Sequence, residues 1–103
     1  MQTFYDRLDT WLIGAQNIIN QYSAKQYPTL EVPQLSMTEG KRYVRILRTN
    51  YGQSSAHAFI DKDTGDVLKP AGAKTPAKHR RGNVFDDQNG LGQMGPYGPA
   101  YLR

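Results

Sequence analysis

The sequence predicts an α+β fold: an N-terminal amphipathic helix packed on a small antiparallel β-meander of three to four strands, with a loop-rich C-terminal tail. Three observations predict it. Apolar residues in the first quarter of the chain recur at spacings of three and four. Between Leu30 and Lys69 they fall in short alternating runs broken by turn residues. From Asp86 onward the composition shifts to Gly and Pro. At 103 residues the chain makes one domain, residues 1–85, followed by a tail at 86–103.

The helix is predicted over Thr3 to Lys25. Phe4, Leu8, Trp11, Leu12, Ala15, Ile18, Ile19 and Tyr22 share one side of it. Thr3 is the N-cap, with Asp6 three residues on as an acidic capping-box partner. Gly14 costs about 1 kcal/mol in an isolated helix, and it opens room for a neighbouring element to come close. Pro28 ends the helix by disfavouring α geometry at Tyr27.

The sheet is predicted over residues 30–69. Leu30 to Leu35 contains Pro33, which restricts it to an edge strand or an extended connector. Met37 to Gly40 reads as a turn. Lys41 to Thr49 is the clearest strand, and Ser54 to Asp61 and Asp66 to Lys69 follow it. Turns at Asn50–Gln53 and Lys62–Gly65 are too short for a parallel crossover. Residues 70–82 read as a basic loop, with room for one helical turn after Pro76. Asn83–Phe85 resumes an extended, apolar character. The tail carries four Gly and two Pro and is expected to lack a packed element, although Tyr97, Tyr101 and Leu102 can dock.

Alternation divides the sheet into two unlike faces. Val44, Ile46, Ala56, Ala58 and Ile60 form an aliphatic seat for the helix, with the two alanines leaving room for Trp11 or Tyr22. The opposite face carries Tyr43, Arg45, Leu47, His57 and Phe59. Two readings of that second face stay open. It is an exposed aromatic and cationic platform, or it is covered by Val84, Phe85, Leu91 and Met94 as a second small core.

Charge is distributed unevenly. Ten of thirteen Lys and Arg residues lie between Lys41 and Arg81, against three acids, a local balance of +7. The first forty residues balance at −2. A basic stripe on a small domain is the footprint of a polyanion partner. Aromatic rings flanked by cations suit single-stranded nucleic acid, where rings stack on bases and cations track phosphates. A duplex reader needs a groove-fitting element, and this helix is neutral to acidic on its polar side. The candidate contacts are Tyr43, His57 and Phe59 for bases, and Arg45, Lys69, Lys74, Lys78, Arg80 and Arg81 for phosphates. DNA is favoured as the partner, and a homodimer through Trp11 and Tyr22 is compatible with the spare apolar helix surface.

Other classes find little support. There is no Cys, which removes disulfides and thiolate metal sites and fits a reducing compartment. No apolar run is long enough to span a bilayer, and no secretory signal is visible. Asp61, Asp63 and Asp66 resemble the start of a calcium loop, but Gly72 stands where a bidentate Glu is required. Gly72-Ala73-Lys74-Thr75 lacks the Gly before Lys that a phosphate loop needs. His57 and His79 are not spaced as a metal pair. A non-enzymatic protein without cofactor or metal is expected.

Tyr43-Val44-Arg45-Ile46, Ala58-Phe59-Ile60-Asp61-Lys62, Gly65-Asp66-Val67-Leu68-Lys69-Pro70-Ala71, the run from Lys74 to Val84, and Gly95 to Tyr101 together carry a resemblance. They resemble a group of small, largely uncharacterised proteins of tailed bacteriophages. Relatives in that group often have an aromatic residue where this chain has Ala73. The resemblance implies a phage product made in the host bacterial cytoplasm, and no particular activity. It also frames a competing expectation, an accessory protein that binds a host protein through its Gly/Pro/Tyr tail. The architecture is similar to Whirly-type single-strand binders at the level of fold alone.

Overall fold

A computed structural model of the chain describes residues 3–72 and 74–99. The docking expected for Tyr101 and Leu102, and the departure at Ala73, lie outside the described residues. Helix α1 runs Phe4–Gln26. Thr3 caps it as the sequence predicts. Its hydroxyl accepts from the Asp6 amide at 3.2 Å, and the Asp6 carboxylate accepts from the Thr3 amide at 3.1 Å. The helix closes where Tyr27 donates its amide to the Ser23 carbonyl, immediately before Pro28.

Five strands follow as an antiparallel meander in sequence order: β1 Gln34–Glu39, β2 Tyr43–Asn50, β3 Gln53–Asp61, β4 Asp66–Pro70 and β5 Pro76–Asn83. A separate two-stranded hairpin, β6 Met94–Gly95 and β7 Gly98–Pro99, completes the fold. The β2–β3 turn places Tyr51 and Gly52 both at positive φ, 52° and 77°, the geometry of a type I′ hairpin.

Three expectations are corrected. The first strand starts after Pro33 and continues to Glu39, through the residues expected to turn. Its ladder to β2 pairs Gln34 with Thr49 and Glu39 with Val44. The basic loop is largely strand β5. Pro70 and Pro76 oppose one another at the hairpin mouth, and β5 is an outer strand, where Pro is tolerated. Its ladder to β4 is nonetheless irregular, shifting register at Val67/Leu68 and at Leu68/Pro70. The tail is a built element as well. Asp86 accepts from the amides of Asn83, Gln88 and Gly90. Arg7 donates to the carbonyls of Val84 and Asp86, and Asn89 donates to those of Arg7 and Val84, tying this turn to α1.

The core lies between α1 and one sheet face. Leu8, Trp11 and Ala15 pack on Val44, Ile46, Ala58, Ile60, Val67 and Val84. Leu91 seats directly over Gly14, at a separation no Cβ would tolerate, so the glycine serves the close approach expected of it. Val84, Leu91 and Met94 therefore join the helix-side core and leave the other sheet face alone. That overturns the reading in which they cover Tyr43 and Phe59. Trp11 is wholly buried within the chain and offers nothing to a dimer surface.

Candidate nucleic-acid interface

The register builds one row of side chains across all five strands. Thr38 opposes Arg45, Arg45 opposes Phe59, Phe59 opposes Leu68, and Leu68 opposes Arg80. Directly opposed residues share a face, so Arg45 and Arg80 flank an apolar centre on the side away from the helix. They stand three strand spacings apart, roughly 14 Å. Lys78 lies two residues before Arg80 in β5, in the stretch where the ladder shifts register, and is exposed.

A groove of about 300 Å³ opens at one end of this row. Lys41, Arg42, Tyr43, Arg45, Phe59 and Lys74 line it, together with Thr38 to Gly40. The Tyr43 ring meets Phe59 edge-on at 6.3 Å between centroids, and the Arg42 guanidinium lies 5.3 Å from the Tyr43 centroid. Such a stack of cation on ring is attractive, because the ring face is electron-rich.

The acids beside the groove are already engaged. Asp61 accepts from Arg42 at 3.2 Å and from the Asp63 and Thr64 amides, which makes it the anchor of a turn. Glu39 accepts from Lys62 and Tyr5, each at 2.8 Å, and these two partners, Lys62 first, hold its carboxyl below the ordinary range. Asp66 lies 3.5 Å from Arg80 and accepts from Asn83. Lys74 and Lys78 are exposed.

A model of a family of unknown function (DUF7717) matches residues 7–95. The chain belongs to that family. No curated protein and no solved structure matches it. The span shared with DUF7717 takes in most of α1, the whole five-stranded sheet and β6, so the cationic face lies inside it.

The structure separates the nine expected contact residues. Tyr43, Arg45 and Lys74 meet in the groove, Arg80 continues the same face, and Lys78 is exposed on the same strand. Phe59 is on that face but only 3% exposed, so it floors the groove and cannot stack on a base. His57 is 2% exposed and on the other face. The ladder shifts register between Ile46 and Leu47, which pairs Ile46 with Ala58 and Leu47 with Ala56 and leaves His57 unopposed. That bulge turns His57 toward the helix side and moves Ala56 off the aliphatic seat. There Gly98 crowds it: a Cβ on Gly98 would fall 2.7 Å from the His57 carbonyl oxygen. Burial, then the Arg48 charge, pushes the His57 imidazole down to about 4. Arg81 is 6% exposed, because a second register shift leaves it between Gly82, paired with Val67, and Arg80, paired with Leu68. Its guanidinium donates to the His79 carbonyl. Lys69 alternates away from Leu68 and is half-buried. Sequence reasoning missed Lys41 and Arg42 as groove residues; the turn that carries them lies just outside the strand.

Proposed function

We propose that this protein binds single-stranded nucleic acid, DNA in the first instance, along the sheet face opposite α1. One observation carries the reading. Arg45 and Lys74 line a groove beside the Tyr43 ring, and Arg80 stands across the same row of side chains on β5. Tyr43 stacks on an unpaired base, and the cations hold successive phosphates. Recognition of this kind is tolerant of sequence, since every base has a π-face and every phosphate the same charge. A single strand is favoured over a duplex, whose readers place a helix or ribbon in a groove, and this face offers neither. The mechanism is binding without chemistry. Fluorescence anisotropy with a labelled oligonucleotide at about 50 and 200 mM salt tests it, because neutralising several phosphates makes affinity fall steeply with salt. Absence of binding at the lower salt contradicts the proposal.

A further inference from the structure

On the helix side, at the far end of the sheet from the groove, five chain segments converge on a second cavity of about 240 Å³. Its walls include Tyr22 near the end of α1, Tyr27 at its C-cap, Tyr51 in the β2–β3 turn and Tyr97 in the C-terminal hairpin. Tyr22 meets Tyr27 at 6.0 Å and Tyr97 at 5.6 Å between centroids, both edge-on. Tyr51 is fixed by reciprocal bonds with Glu31: its hydroxyl accepts from the Glu31 amide at 3.1 Å, and its own amide donates to the Glu31 carboxylate.

Two polar residues of β2 complete the walls. Arg48 rests its guanidinium 5.3 Å from the Tyr97 centroid, and Asn50 lies two residues further along the same strand face. The Arg48 Nε and the Asn50 Oδ1 are buried without a hydrogen-bond partner. One is a donor and the other an acceptor. Unpaired buried polar atoms are costly, and native structures keep few of them.

We infer that this cavity binds a nucleobase, held between tyrosine rings with its polar edge toward Arg48 and Asn50. A ring of tyrosines beside a carboxylate also describes a cage for quaternary ammonium groups. Here the cation is built in, as Arg48 on Tyr97, and it repels a second one. A hydrocarbon ring would leave the Arg48 donor and the Asn50 acceptor unmatched. A nucleobase offers acceptor and donor atoms side by side on one planar edge, the complement of the Arg48 donor and the Asn50 acceptor. The cavity is smaller than the roughly 300–1,000 Å³ of pockets for drug-sized ligands, which suits a single base.

The site is separate from the cationic face, and an uncharged nucleoside probes it alone. Titrating ¹⁵N-labelled protein with adenosine and with cytidine is expected to shift the amides of Tyr27, Arg48, Asn50, Tyr51 and Tyr97. Choline is expected to shift none of them, and phenol to bind more weakly. Tyr97→Leu and Asn50→Leu each weaken the nucleoside by about tenfold or more, with the remaining spectrum reporting that the fold is intact. If an oligonucleotide shifts the same amides, the base comes from a strand; if only free nucleosides do, it comes from a small metabolite. Either outcome supports the site. No shift at millimolar nucleoside, equal response to choline, or equal response to phenol overturns it. Loss of oligonucleotide binding in open-face variants leaves this result untouched.

Discussion

Lys78 and Arg80 carry the open-face account at the scale of single residues. Both stand exposed on β5. Lys78→Glu is expected to weaken oligonucleotides of every sequence alike. It should also flatten the salt dependence by about 0.7 in the slope for each phosphate no longer neutralised, read by anisotropy over a salt series. Arg81, adjacent in sequence, is buried and donates to the His79 carbonyl, so Arg81→Glu acts on folding instead. His57 makes a prediction of the same scale with a defined sign. Its imidazole is held down to about 4 in the folded chain, by burial first and the Arg48 charge second. In the unfolded chain it returns to about 6.5. Between those values the unfolded state binds the extra proton, so stability falls as pH drops from about 6.5 to about 4. The loss approaches about 3 kcal/mol at most. Denaturant melts across that window measure it, and His57→Leu should flatten the curve there.

Among the elements, the C-terminal hairpin and strand β5 show where a sequence stops being readable. The helix was legible from Thr3 onward, because capping and a 3.6-residue period are local signals. The aliphatic seat was legible as well, apart from Ala56. What failed was register. Alternation counted from Ser54 carries His57 to the wrong face, since a single unopposed residue in β3 reverses parity. Nothing local marks that bulge. The tail failed for a related reason: its Gly residues are sites of close approach, and the Asp86 turn that organises them depends on Arg7 and Asn89, one of them about eighty residues away. Gly98 tests the element directly. It sits at φ 115°, against the His57 carbonyl. Gly98→Ala should destabilise the fold by about 1–3 kcal/mol, through strain at an L-disfavoured φ. For a domain of this size that lowers the melting temperature by roughly 4–8 °C per kcal/mol in a thermal scan.

The whole molecule is polarised. Helix, hairpin and core occupy one side of the sheet, and cations held on a short strand scaffold occupy the other. Charge asymmetry was readable along the sequence, but its meaning depends on which side the helix leaves uncovered, and the packing of Val84, Leu91 and Met94 beneath the helix decides that. The direct measurement compares two charge reversals in one oligonucleotide-binding assay at low salt: Lys78→Glu with Arg80→Glu on β5, and Lys25→Glu in the last turn of α1 as control. The double reversal is expected to lower affinity by at least about a hundredfold, while Lys25→Glu changes it by less than about threefold. Equal losses from both, or no loss from the β5 pair, would contradict the proposed binding face.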